Sequence, residues 1–148
     1  MTTSSNAELI AFEKKFRQNE LHVTDIGPWA LSVRPGQITL GAMVLACRSG
    51  AEGMSDLTAD EASGLGAAMA VAECLLKQVF GAQRINYLCL MMQDPIVHFH
   101  VLPRYAETIS RHGVDWVDRD WPGAPKMVAA PTEDAVLLKI RDVLRAAV

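Results

Sequence analysis

An α+β fold, with helices packed on a mainly antiparallel sheet, is predicted by three features of this 148-residue chain. Three segments repeat their apolar residues at helical spacing, near residues 6–19, 58–80 and 132–144. Between them lie apolar runs of strand length, punctuated by Pro35-Gly36 and by Gln93-Asp94-Pro95. The run from Ile96 to Leu102 alternates, with Ile96, His98, His100 and Leu102 on one face and Val97, Phe99 and Val101 on the other.

The elements follow in order. Ser5-Asn6-Ala7-Glu8 has capping-box spacing, and Leu9, Phe12 and Phe16 form the apolar stripe of a helix over about residues 6–19. Trp29 to Val33 alternates as a strand, and Pro35-Gly36 turns it. Ile38 to Leu40 opens a second extended piece that continues past Gly41 to Cys47; it is apolar on both faces, as a central strand is. Thr58-Ala59-Asp60-Glu61 is another capping box. It starts a long helix with Leu65, Met69, Ala72, Leu76 and Val79 as its stripe and Gly81 at the C-cap position. Ile85 to Met92 reads as a strand covered on both faces, joined briefly and therefore antiparallel to the histidine strand. Pro103 cannot donate to a ladder, so that strand is expected to end there. Residues 106–130 read as irregular, the kind of long stretch that belongs to a binding site or a covered surface. Thr132, Glu133 and Asp134 open a last helix with Val136, Leu137, Ile140, Val143 and Leu144 inward.

Size and composition narrow the function classes. The length fits one domain over residues 1–148, half the residues are hydrophobic, and the net charge of −3 offers no basic footprint for a nucleic acid polymer or an anionic membrane. Three widely spaced cysteines without a CxxC pair point to a reducing compartment rather than a disulfide framework or zinc ribbon. The polar start Met-Thr-Thr-Ser-Ser-Asn lacks a hydrophobic signal core, and no apolar run is read as long enough to span a bilayer; a cytoplasmic location is expected.

His98 and His100 stand roughly 7 Å apart along one strand face. They could be hydrogen-bonded, half-buried histidines. They could chelate a metal, with Asp94, His22 or His112 as third ligand, although no spacing nominates any of these. Or one neutral imidazole attacks an electrophile while its other nitrogen is fixed, and the neighbour binds or protonates the oxygens of the reacting group. A phosphorus centre suits that pair, because an imidazole and an amide side chain stabilise its crowded equatorial oxygens. No motif requires a cofactor or a metal.

His98-Phe99-His100-Val101-Leu102-Pro103-Arg104 resembles the H-x-H-x-H signature of the histidine triad (HIT) family, with His98 on the central position and His100 on the third. Met92-Gln93-Asp94 is similar to the segment preceding the triad in fragile-histidine-triad hydrolases, and the resemblance extends over about residues 29–105. It implies a HIT-like sheet of about five strands with one long central helix plus N- and C-terminal helices, usually in a homodimer. It also implies a nucleotide hydrolase or nucleotidyl transferase. Such an enzyme cleaves at the α-phosphate of a nucleotide conjugate, such as a diadenosine polyphosphate or a nucleoside phosphoramidate, through a nucleotidyl-histidine intermediate. By position His98 would be the nucleophile, His100 the phosphate-contacting partner, Gln93 a ligand of the phosphate or leaving group, and Arg34 either a ribose-contacting residue or a solvated strand-end arginine. Three departures stand out: Ile96 occupies the first triad position, Gly41-Ala42 replaces an upstream Gly-His, and the Gly-Gln phosphate loop is missing. They motivate the alternative of a nucleotide-binding or sensing module with little turnover. Arg104 is expected to face solvent or a partner, and Trp121-Pro122-Gly123 either lies over the site or makes a structural turn.

Overall fold

The computed structural model describes residues 3–148, with side chains described from residue 7. Helix α1 spans Thr3–Lys15 and α2 Gln18–Leu21; strands β1 His22–Ile26, β2 Trp29–Val33 and β3 Met43–Cys47 follow. Then come α3 Ala59–Phe80, β4 Arg84–Leu88, β5 His98–Arg104, the short strands β6 Ile109–Arg111 and β7 Val114–Trp116, and α4 Asp134–Ala146. The five main strands form one antiparallel sheet in the order β1-β2-β3-β5-β4. This is the α+β architecture read from the sequence, with its long central helix.

Period-two alternation sorts the sheet's side chains between two cores. Leu31 and Val33 of β2, Met43 and Leu45 of β3, and Phe99 and Val101 of β5 pack with α3 and α4 through Ala72, Leu76, Phe80, Leu137 and Ile140. On the opposite face, Val44, Ala46 and Ile96 pack against Phe12 of α1 and Phe16 just beyond its end. The α3 capping box forms as read: Glu61 N donates to Thr58 Oγ1 (3.1 Å) and Thr58 N to Glu61 Oε1 (2.8 Å), and Gly81 closes the helix at φ 70°. At 22 residues α3 is, against expectation, long and apolar enough to cross a membrane by length and composition. Its stripe is nevertheless committed to the sheet, the arrangement of a core helix.

Other expectations need correction. Ser5 lies within α1 rather than before it. The first helix breaks at Arg17, whose φ of 51° is left-handed; the guanidinium is held there by Glu20 and Asp134 (2.8 and 3.0 Å). The edge strand β1 was not read at all. Ile38 to Leu40 is not a strand, because the chain between β2 and β3 is braced as a turn: buried Gln37 donates to the carbonyls of Arg34 and Ala42 and accepts from Gly41 N. Strand β5 runs through Pro103, which pairs with Ile85. Its carbonyl accepts from Thr39 Oγ1 (2.6 Å), so its nitrogen also faces that side, beyond the end of β3, where the ladder requires no donor. Residues 106–130 contain the β6–β7 hairpin, and a buried ion pair between Arg104 and Asp118 (2.7 Å) pins the segment beyond it. Arg104 therefore faces neither solvent nor a partner; it also donates to Asn86 Oδ1 and to the Gly123 carbonyl, which makes Trp121-Pro122-Gly123 part of that anchored segment.

Candidate functional site

Strand β5 carries His98 and His100 on the face opposite the main core, 3% and 8% exposed. Their rings meet edge to face at 5.0 Å between centroids. Phe12 of α1 and Phe16, just past the helix end, cover them: Phe12 lies 4.9 Å from His98, and Phe16 lies 5.8 Å from His98 and 6.0 Å from His100. The Leu9, Phe12, Phe16 stripe thus packs against the sheet as expected, and in doing so roofs the two imidazoles.

The hydrogen bonds give the rings complementary protonation. His98 Nδ1 lies 2.6 Å from the Ile96 carbonyl oxygen, which can only accept, so Nδ1 carries the proton and Nε2 keeps its lone pair. His100 Nδ1 receives the Nε–H of Arg34 at 3.3 Å, so its proton sits on Nε2. Burial pushes the His98 pKa below its ordinary value against the Ile96 hydrogen bond, which raises it. Burial, then the Arg34 charge, pushes His100 down to about 4. Both rings are neutral at pH 7: one presents a lone pair, the other an N–H.

They open onto a cavity of about 440 Å³. Phe16, Leu88, Leu90, Met91, Met92 and Met127 supply its apolar wall, and Lys15, Arg34, Gln93 and Asp94 its polar groups. Five consecutive residues of the β4–β5 connection, Leu90 to Asp94, line one side. Strand β4 was expected to reach Met92 but leaves the ladder after Leu88, opposite His100; Met91 adopts φ 46°, and Leu90 and Met92 are 58% and 83% exposed. An apolar run does not by itself encode a strand, and here it lines a cavity. Lys15 reaches over from α1 to both carboxylate oxygens of Asp94 (2.8 and 3.0 Å).

Arg34 leaves β2 at the turn braced by Gln37. Its Nη1 donates to the Gly36 carbonyl, and a Cβ on Gly36 would stand 2.7 Å from that nitrogen, so glycine lets the guanidinium lie back toward His100. All four residues singled out from the sequence, Arg34, Gln93, His98 and His100, meet at this one cavity. Lys15 and Met127 were not singled out, and Asp94 only as a metal ligand. Phe16 was read as helix core, and nothing in the sequence pattern marks Met127. His22 and His112, the other candidates for a third metal ligand, lie apart: His22 Nε2 is bonded to Asp25 (2.8 Å) beside a separate cavity of about 460 Å³, and His112 packs on the edge of Phe80.

No protein-family model matches the sequence, and no curated protein matches it. Solved structures do match. A histidine triad protein of Sinorhizobium meliloti superposes with a TM-score of 0.67 at 18% identity, over 89% of this chain and 93% of that one. One of Bradyrhizobium japonicum gives 0.65 at 21%, over 88% and 92%. A hypothetical histidine triad nucleotide-binding protein of Sulfolobus tokodaii gives 0.65 at 14%, over 86% and 82%. With a five-stranded antiparallel sheet, one long helix across it and two imidazoles on the strand where the signature ends, the chain has the histidine triad fold.

Proposed function

We propose that the protein is a nucleotide hydrolase or nucleotidyl transferase that cleaves at the α-phosphate of a nucleotide conjugate, a dinucleoside polyphosphate or a nucleoside phosphoramidate, through a nucleotidyl-His98 intermediate. The observation that carries this reading is the His98–Ile96 hydrogen bond, which leaves His98 an Nε2 lone pair at the cavity that it lines together with His100. A neutral imidazole held in that tautomer attacks phosphorus, and the neighbouring N–H binds an equatorial oxygen as charge builds there. Gln93, an exposed amide on the cavity rim, and Arg34 are the substrate-binding groups. The apolar wall of Phe16, Leu88 and the loop methionines suits a base. We read the chain as cytoplasmic, in keeping with its three free cysteines, and as a homodimer.

Incubation with diadenosine polyphosphates and nucleoside phosphoramidates should release a mononucleotide, mass spectrometry should find the nucleotide on His98, and His98→Ala should abolish both. Equal, background-level turnover by wild type and His98→Ala refutes the catalytic role. A second reading, a nucleotide-binding module with little turnover, is favoured by the cover over His98, which is only 3% exposed beneath Phe12 and Phe16. It is distinguished by stoichiometric mononucleotide binding in calorimetry without a covalent adduct.

A further inference from the structure

We infer that Arg34 holds His100 as a fixed, neutral hydrogen-bond donor, and that the site therefore serves nucleotide conjugates whose leaving group departs as an anion, not those whose leaving group is an amine. The inference rests on the nucleotidyl-transfer reading and narrows it.

A guanidinium has N–H groups and no acceptor. With Arg34 Nε donating to His100 Nδ1 at 3.3 Å, Nδ1 must offer its lone pair and the single ring proton lies on Nε2. An imidazolium at His100 would set N–H against N–H and place two positive charges together in a site shielded from water. The pKa of about 4 follows from the same surroundings. Nε2–H can bind a phosphate oxygen, and the adjacent cation polarises it for that purpose, but it is not a proton that a neutral imidazole releases near pH 7. The other proton carriers at the cavity are also engaged. His98 Nδ1–H is held by the Ile96 carbonyl on the side of the ring away from the attacking nitrogen, and two of the three Lys15 N–H groups are taken by the oxygens of Asp94.

Without a proton from either imidazole, the first step balances for one class of leaving group. The His98 Nε2 pair forms a bond to the α-phosphorus, the P–O bond to the leaving group breaks, and its electrons remain on the bridging oxygen of a stable phosphate anion. Water then attacks phosphorus, the P–N bond breaks back to His98, and the water proton passes to solvent. In a phosphoramidate the electrons of the breaking P–N bond would leave on nitrogen, which must take up a proton as the bond breaks, and neither imidazole at the cavity supplies one.

The test compares diadenosine triphosphate with adenosine 5′-phosphoramidate, on wild type and Arg34→Met, together with 15N NMR of the histidine rings. Wild type should show kcat/KM for the triphosphate exceeding that for the phosphoramidate by roughly 100-fold or more, the range that general acid catalysis contributes. Its His100 Nδ1 should resonate as an unprotonated nitrogen. In Arg34→Met the ratio should shrink, phosphoramidate turnover should rise as pH falls below about 6.5, and the His100 pKa should move up toward that ordinary value. A role confined to holding the β2–β3 turn would change neither the ring's titration nor the selectivity. A protonated Nδ1 in wild type, or comparable His98-dependent turnover of both conjugates, overturns the inference. Failure of every conjugate to form a His98 adduct instead overturns the nucleotidyl-transfer reading, and this selectivity with it.

Discussion

Replacing Asp118 by Asn should destabilise the protein by about 3–5 kcal/mol, the range for removing one partner of a buried ion pair. The two side chains are 4% and 2% exposed, with Nε to Oδ2 at 2.7 Å and Nη2 to Oδ1 at 3.1 Å, a two-pronged pairing out of water's reach. Burial raises the Asp118 pKa, but the Arg104 hydrogen bonds and the Tyr105 amide outweigh it and hold the group below its ordinary value, so the carboxylate is charged when the fold is intact. Asparagine keeps the size and removes the charge. Arg104 would then be left buried with the neutral acceptors Asn86 Oδ1 and Gly123 O, and with an amide N–H facing one of its own donors. For a chain of this length the loss corresponds to a fall in Tm of roughly 6–20 °C, at about 2–4 °C per kcal/mol. Urea unfolding followed by circular dichroism measures it directly. The double variant Arg104→Met/Asp118→Leu removes both charges and should recover most of the loss, because no uncompensated ion remains. A single-variant cost within about 1 kcal/mol of zero, the value expected of a solvent-screened pair, would refute the argument that this pair is buried and anchors the segment carrying Met127.

Two further outcomes follow from the same packing. Gly41 adopts φ 83°, and a Cβ there would stand 2.9 Å from Phe80 Cδ2 and 3.0 Å from Leu76 Cδ2; Gly41→Ala should cost about 2–4 kcal/mol in urea unfolding, from left-handed strain and overpacking together. Stability should also depend on pH through the two imidazoles. Their folded pKa values are lowered, so below about 6.5 the unfolded chain takes up more protons than the folded one. Their contribution is complete above about 6.5 and is lost as pH falls toward 4. Unfolding midpoints from pH 7.5 to 4.5 should therefore decline with acidification, and less steeply in His100→Phe. An unchanged slope in that variant would mean that His100 is not buried neutral.

Much of the fold was legible because its signals are local. Thr58 and Glu61 cap each other within one turn, Gly81 supplies the left-handed residue that ends α3, and the alternation about Phe99 assigns each β5 side chain to a face. Several of the misreadings share a cause, since they depend on a partner distant in sequence. Arg17 breaks the first helix while bonded to Asp134, and Pro103 is tolerated inside β5 because Thr39 satisfies its carbonyl on a side where β3 has already ended. Arg104 looks like a surface arginine until Asp118 is folded over it. The site divides in the same way. Both histidines, Gln93 and Arg34 stand out by type and spacing, whereas Lys15 and Met127 become part of the cavity only through tertiary packing.

Ile96 serves the site through its backbone and the core through its side chain. What His98 takes from this position is a backbone carbonyl, which isoleucine provides as well as histidine does. The side chain is fully buried among Phe12, Phe16, Val44 and Ala46. An imidazole there would need hydrogen-bond partners within an apolar cluster, and an unsatisfied buried polar group costs about 1–3 kcal/mol. Ile96, Phe12 and Phe16 therefore form a matched set, in which the aromatic residues that roof His98 also require an apolar neighbour beneath them. Their burial of the ring lowers its pKa and keeps the Nε2 lone pair free of a proton. Isoleucine at position 96 thus brings no polar group into the cluster and deepens the desolvation that keeps His98 neutral.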